Sequence, residues 1–301
     1  MNTADAAADR TRGTTERSRH GSAGRRGARH ADAEPRVRFT DLLAAEWIKL
    51  WSLRSTSGAL AAGALAVIGI CANSARSNVH LIRANGTEEQ RLAIDPLHAA
   101  FVPDAYLLLM IVAAAVGAVT VSGEYTSGLV RATFAAVPAR RQVVAAKAFV
   151  VGAVLLVFGA AVAGISFGLT QAIYDQVRIG LPVGAPGALR AIAASAVLAP
   201  VCGLAGMAVA ALVRHGAGAV VTAVVVLAVL PRLFAGETYR WVKEIGNAMP
   251  VSAWSALVEN PAVRHAPSRY PVEPGEAWLT YGAWALVAVV VAVTAVHRRD
   301  V

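Results

Sequence analysis

Six stretches of this chain lack any Asp, Glu, Lys or Arg and are about long enough to cross a lipid bilayer: residues 57–75, 105–122, 148–174, 191–213, 216–231 and 277–296. A hydrocarbon core about 30 Å thick asks for roughly 20 apolar residues at the helical rise. Inside it a helix satisfies its own backbone groups, so the pattern predicts six spanning helices. Composition agrees. Charged residues make up 16% of the chain, against about a quarter in soluble globular proteins. The fifth run is short and ends at Pro231 and Arg232, so a re-entrant segment is the alternative there.

The net charge of +9 invites a nucleic-acid reading, but the cations follow topology. Lys and Arg concentrate in the N-terminal region, the second-to-third and fourth-to-fifth connections and the C-terminus, while Asp and Glu divide almost evenly between the two sides. By the positive-inside rule the cation-rich side is cytoplasmic. Arg131, Arg140, Arg141 and Lys147 place the second connection there independently of the Arg-rich N-terminus. No nucleic-acid partner is expected. The two cysteines, Cys71 and Cys202, fall inside expected spans and read as small packing residues, not a disulfide framework.

Residues 1–36 are rich in Ala, Arg, Gly, Thr and Ser and nearly free of large apolar side chains, which predicts a disordered cytoplasmic tail. No apolar core of a signal peptide is present. A transit peptide or an over-called start are the alternatives. Residues 37–56 differ. Thr40 and Asp41 can start a helix, and Phe39, Leu42, Leu43, Trp47, Leu50, Trp51 and Leu53 then cover one broad face, with Asp41, Lys49 and Ser52 opposite. Such a helix suits the headgroup region, with Arg54 leading into the first span. Glu46 intrudes on the apolar arc, where it either pairs with Lys49 at i+3 or faces a partner protein.

The most patterned polar segment is residues 123–147. Gly123 is expected to break it from the span before, and Pro138 to stop it before Arg140 and Arg141. Wound as a helix from Glu124, it carries Glu124, Ser127 and Arg131 on one face and Tyr125, Leu129, Thr133 and Ala136 on the other. It reads as a surface helix offering its polar side to a docking partner, or more plainly as a linker. Small residues stack at four-residue spacing in the first span (Gly58, Ala62, Ala66) and the third (Ala160, Gly164, Gly168), which suits close helix packing or a seam between copies. Pro200 predicts a kink in the fourth span. Residues 235–276 form the long outer segment, in which 245–258 is apolar enough to lie in or dip into the interface.

Chemistry is scarce. The three lysines, Lys49, Lys147 and Lys243, each follow a residue other than glycine, so no phosphate-cradling Walker loop can form. No expected span carries a charge in its interior, which argues against a proton relay. The histidines show no metal-ligand spacing, and Ser255 with His265 lacks the frame of a nucleophile site. No catalytic residue, cofactor or metal is expected.

Residues 45–58, AEWIKLWSLRSTSG, and 122–147, SGEYTSGLVRATFAAVPARRQVVAAK, resemble the type-2 permeases of ATP-binding-cassette exporters, particularly the single-bundle subunits common in actinobacteria. Residues 211–221 and 248–254 are similar to their inside turn and outer re-entrant region. The shared loop positions are Glu124, Gly128, Pro138, Arg140 or Arg141, and Lys147; Leu129 stands where many members have threonine. The resemblance implies an all-α integral membrane fold of six transmembrane helices over residues 57–301, with an N-terminal interfacial connector helix, a cytoplasmic coupling helix and an outer re-entrant or amphipathic region. It implies a plasma-membrane permease with no enzymatic activity, driven by a separate ATP-binding ATPase subunit and paired with a second permease, a second copy being the simplest. Glu124, Tyr125, Ser127, Gly128, Arg131, Pro138, Arg140, Arg141 and Lys147 would form the coupling surface, with Glu124 and Arg131 making polar contacts with the ATPase. Glu46, Trp47, Lys49, Trp51 and Arg54 would belong to the connector. A non-transporting sensor, assembly or immunity protein with the same docking loop is the alternative.

Overall fold

The computed structural model describes residues 38–88, 94–127, 140–263 and 269–297. The chain divides into Met1–Arg36 and Val37–Val301. The expected tail at 1–36 and most of the expected coupling helix, including Gly128, Arg131 and Pro138, lie outside the described residues.

No strand occurs among the described residues. Helix α1 (Phe39–Ser52) is joined through one extended residue, Leu53, to α2 (Arg54–Asn85). There follow α3 (Pro96–Ala99), α4 (Pro103–Thr126), α5 (Arg140–Asp175), α6 (Ala188–Val213), α7 (Gly216–Leu233), α8 (Arg240–Asn247), α9 (Pro250–Val258) and α10 (Pro274–His297). Six of these, α2, α4, α5, α6, α7 and α10, are long and apolar enough to span a membrane, so the chain is an all-helical, multi-pass membrane protein. Pro96, Pro103, Pro250 and Pro274 each open a helix, where a missing N–H costs nothing.

Helix α6 is the spine, packing against α4, α5, α9 and α10. With lipid as apolar as the side chains, helices gain most by approaching closely. A methyl group at Gly117 would come within 1.9 Å of the Gly203 carbonyl oxygen, and one at Gly206 within 2.1 Å of that of Ala114. These contacts draw α4 onto α6. The stripes read from sequence are elsewhere: a methyl at Gly58, Gly164 or Gly168 meets nothing within 4 Å. On α5 the face toward α6 carries Leu155 and Gly159, and a one-residue offset turns Ala160 about 100° away from it. Both stripes are left open on the surface of the chain.

Several boundaries move. Helix α2 extends through Arg76 to Asn85, well beyond the uncharged run, because Ala72, Ala75, Val79 and Ile82 continue one apolar face and pack on Ile173, Tyr174 and Val177. Asn78 Nδ2 donates to the Tyr174 hydroxyl at 3.0 Å within that contact. Gly123 does not break α4, which runs on to Thr126, so Glu124 and Tyr125 close a spanning helix and do not open a new one. Helix α5 starts at Arg140 and contains Lys147, so it carries charge at the same end at which α4 carries Glu124. Pro200 lies within α6, which runs unbroken from Ala188 to Val213.

Helix α7 reaches Leu233, with a π-helical turn at Val225–Val229 just before Pro231. A proline cannot donate to the preceding turn and crowds it, and a widened turn relieves both conflicts. Arg232 Nη1 returns to bond the Ala228 carbonyl at 2.9 Å. The apolar part of the long outer segment becomes α9, which packs on α6 and α10. Its Trp254 is fully buried, stacks on Tyr106 with ring centres 4.9 Å apart, and donates to Ser195 Oγ at 3.0 Å. Cys71 and Cys202 are free and buried in the main core.

Replacing Gly117 by valine should therefore destabilise the detergent-solubilised chain by about 1–3 kcal/mol, read as a lowered thermal midpoint. Gly164→Ala should leave the midpoint unchanged.

Candidate functional site

The site is built on α1. Asp41 accepts the Arg38 backbone N–H at 3.0 Å, closing the first turn of the helix. Leu42, Glu46 and Leu50, four residues apart, form the buried face, and Leu42 packs on Val143 and Ala146 of α5. The broad apolar arc seen in the sequence thus splits. Its other half stays open, with Trp47 50% and Trp51 45% exposed and their rings 5.8 Å apart. Amphipathic aromatics there suit a headgroup region.

Glu46 pairs with Lys49 as the i+3 spacing suggests, Nζ to Oε1 at 2.8 Å, but that is only part of its role. Its second oxygen accepts from Lys147 Nζ of α5. Glu124, at the end of α4, accepts from Lys147 at 2.9 Å and from Lys49 at 3.0 Å through the same oxygen, Oε1. Two carboxylates and two ammonium groups from three helices thus alternate around a closed ring. The side chains of Glu46 and Lys147 are only 5% and 8% exposed, so this is a buried lattice. By contrast Arg240 and Glu244 of α8 form an exposed pair at 2.7 Å, of a kind worth about 0–1 kcal/mol.

Burial pulls the Lys49 ammonium down, but its hydrogen bond to Glu46 and the charges of Glu124 and Glu46 outweigh that and hold it above the usual lysine range. A raised value means that stability from this group is fully present below the unfolded lysine value and is lost as pH rises through the folded one. The contribution of Lys49 is therefore fully present at neutral pH and is lost only as pH rises above the ordinary lysine range.

The other expected residues are placed less uniformly. Tyr125 is half-buried, with the Arg214 guanidinium carbon 5.3 Å from its ring centre, within cation–π range. Arg214 ends α6 in a left-handed conformation, at φ 56°, so the inside turn leans on the end of α4. Ser127 is exposed and donates to the Gly123 carbonyl at 2.7 Å. Arg140 is half-buried, and Arg141 and Arg54 are exposed. Ser255 spends its hydroxyl on the Val251 carbonyl, and His265 lies outside the described residues. Among the described residues no three His, Cys, Asp or Glu side chains converge as metal ligands would.

Sequence reasoning named all four lattice residues but left Glu124 facing a partner and never joined it to Lys49 or Lys147. A signal was available: two of the chain's three lysines flank the bundle at positions 49 and 147, and each needs a carboxylate if buried. The Arg214–Tyr125 pair was missed, and no spacing rule would have found it.

The arrangement holds no nucleophile or ligand cluster among the described residues; it joins helices. Glu124, in the last turn of α4, is bonded to Lys49 of α1 and Lys147 of α5, so the three helix ends are linked to one another. Compared with models of known families and with curated proteins, the chain gives no match to either.

Glu46→Ala should cost about 1–3 kcal/mol, because it leaves Lys147 in a buried site with Glu124 as its one remaining carboxylate. A thermal midpoint measured alongside Trp47 and Trp51 fluorescence reads both stability and the release of α1. The double variant Glu46→Leu with Lys147→Met should recover most of the loss.

Proposed function

We propose that this chain is the membrane-spanning permease subunit of an ATP-driven exporter of the ATP-binding-cassette type, powered by a separate ATPase. The observation that carries the reading is the lattice of Glu46, Lys49, Glu124 and Lys147, which ties an interfacial helix to two spans beside the connection at 128–139. A partner that pushed on that connection would move α1, α4 and α5 together. In this reading the chain sits in the plasma membrane with the lattice and both termini on the cytoplasmic side, an orientation that the cation distribution supports. The resemblance of residues 122–147 to a coupling loop names the ATPase as the partner.

In this reading Glu124 is a positioning residue that passes force to the lysines, and direct ATPase contact falls to the adjoining segment, with Arg131 its polar anchor. The exporter would contain a second permease, and the open small-residue faces of α2 and α5 suit close approach by another copy. The chain itself supplies the path and no nucleotide chemistry.

Affinity purification of the full chain from its own membranes should recover an ATP-binding-cassette ATPase in near-equal amount. Arg131→Ala should reduce that recovery about tenfold with no change in thermal midpoint. Glu124→Ala should retain the ATPase but weaken coupling of hydrolysis to transport. Recovery of no ATPase, or full recovery with normal transport in both variants, would contradict the assignment.

A further inference from the structure

Beside the lattice lies a cavity of about 220 Å³, bounded by α1 and the neighbouring ends of α4 and α5. We infer that it binds an aminophospholipid of the adjacent leaflet, with the zwitterionic headgroup on Lys49 and Glu124 and the start of an acyl chain along the apolar wall. The inference uses the membrane character of the bundle and stands whether or not an ATPase drives the chain.

Hydrogen-bond vacancies identify the headgroup. Lys49 has three N–H donors, and two are taken by Glu46 and Glu124. Its side chain is 35% exposed, so the third can reach a ligand. Both lysines bond Glu124 through Oε1, which leaves Oε2 without a partner among the described residues. One donor on Lys49 and one acceptor on Glu124 are thus vacant on adjacent side chains lining the same cavity, while the third N–H of Lys147, which also lines it, belongs to a side chain only 8% exposed. The lattice contains two carboxylates and two ammonium groups, so it is already neutral. A purely anionic headgroup would fill only the donor and compete with Glu124 for Lys49. A phosphate and a primary ammonium on one short linker fill both vacancies and keep the charge balanced.

The walls and the depth identify a lipid over a free headgroup. Leu50, Leu53, Val119, Val150 and Val151 supply the apolar part of the lining, and Ser52, Thr120 and Ser127, whose hydroxyls bond backbone carbonyls of their own helices, complete it. Val119 precedes Glu124 on α4, and Val150 and Val151 follow Lys147 on α5, so the apolar wall runs from the charged end toward the hydrocarbon. Trp47 and Trp51 on the open side of α1 mark the same level as interfacial. Gly123 also lines the cavity, and a methyl group built on it meets nothing within 4 Å. A side chain at that position would therefore start into open space of the cavity.

The test is native mass spectrometry of the full chain, delipidated in detergent and offered phosphatidylethanolamine, phosphatidylcholine or phosphatidylglycerol at equal concentration. Phosphatidylethanolamine should be retained about tenfold more than either rival, since phosphatidylcholine has no N–H for Glu124 and phosphatidylglycerol has no cation. Gly123→Leu should lose that retention, while Gly164→Leu, on an open face away from the cavity, keeps it. Equal retention of the three lipids, a preference for phosphatidylglycerol, or undiminished binding in Gly123→Leu would overturn the proposal. Free phosphoethanolamine should not be retained; if it bound as well as the lipid, the apolar wall would have no part and the lipid assignment would fall.

Discussion

Four charges that would each be costly alone at the edge of a bilayer are held here as one neutral set. Glu46 and Lys147 are nearly inaccessible, and each is the main reason the other can be buried charged. Removing water from an ion costs several kcal/mol even after relaxation, so no member leaves cheaply while the others remain. That fixes three pieces of geometry together. Helix α1 lies against α5, α4 continues one turn past Gly123, and α5 begins before its apolar run does. A buried ion set also specifies one arrangement over others, because sliding α1 by a turn would leave two charges unpaired.

Away from that end the bundle obeys a different rule. Lipid offers no hydrophobic penalty for separated helices, so cohesion comes from backbone approach. Gly117, Gly203 and Gly206 permit it between α4 and α6, and these two helices are accordingly the most enclosed spans. Helices α7 and α10 show most of their surface outward. At the far end the chain is closed by hydrogen bonds between loops and helix ends: Gln171 Nε2 to the Pro96 carbonyl at 2.9 Å, Asn260 Nδ2 to Asp95 Oδ1 at 2.8 Å, and Arg190 Nε to the Leu257 carbonyl at 3.0 Å. Both ends are therefore polar clamps on an apolar middle, and the one built on α1 is a closed ring of four charged side chains.

The spans were legible because the absence of charge over a bilayer's width is a one-dimensional signal. Their ends were not, because a helix outruns the membrane wherever tertiary contacts continue its apolar face, as Val79 and Ile82 do for α2. Gly123 shows the same override: a glycine costs a helix about 1 kcal/mol, yet the helix continues through it and brings Glu124 to two lysines. Glu46 was readable as an anomaly, and its i+3 partner was readable too. Its partner Lys147, 101 residues away, was not, since pairing across helices depends on rotation and depth that spacing does not encode. The same limit leaves the use of the α5 stripe open to spacing alone: Ala160, Gly164 and Gly168 lie one residue off the face that packs on α6. Trp254 was visible as part of an apolar, proline-started segment, but its seat between Tyr106 and Ser195 required three separate helices to converge.

The central claim is that α1 is an integral part of the bundle, fastened through its buried face, and not a helix resting loosely on lipid. Hydrogen–deuterium exchange of the full chain in lipid nanodiscs measures this directly. The account predicts that the amides of residues 43–50 exchange as slowly as those of the first turns of α5. Exchange of that stretch at the rate of an unattached surface helix, with α5 still protected, would contradict it.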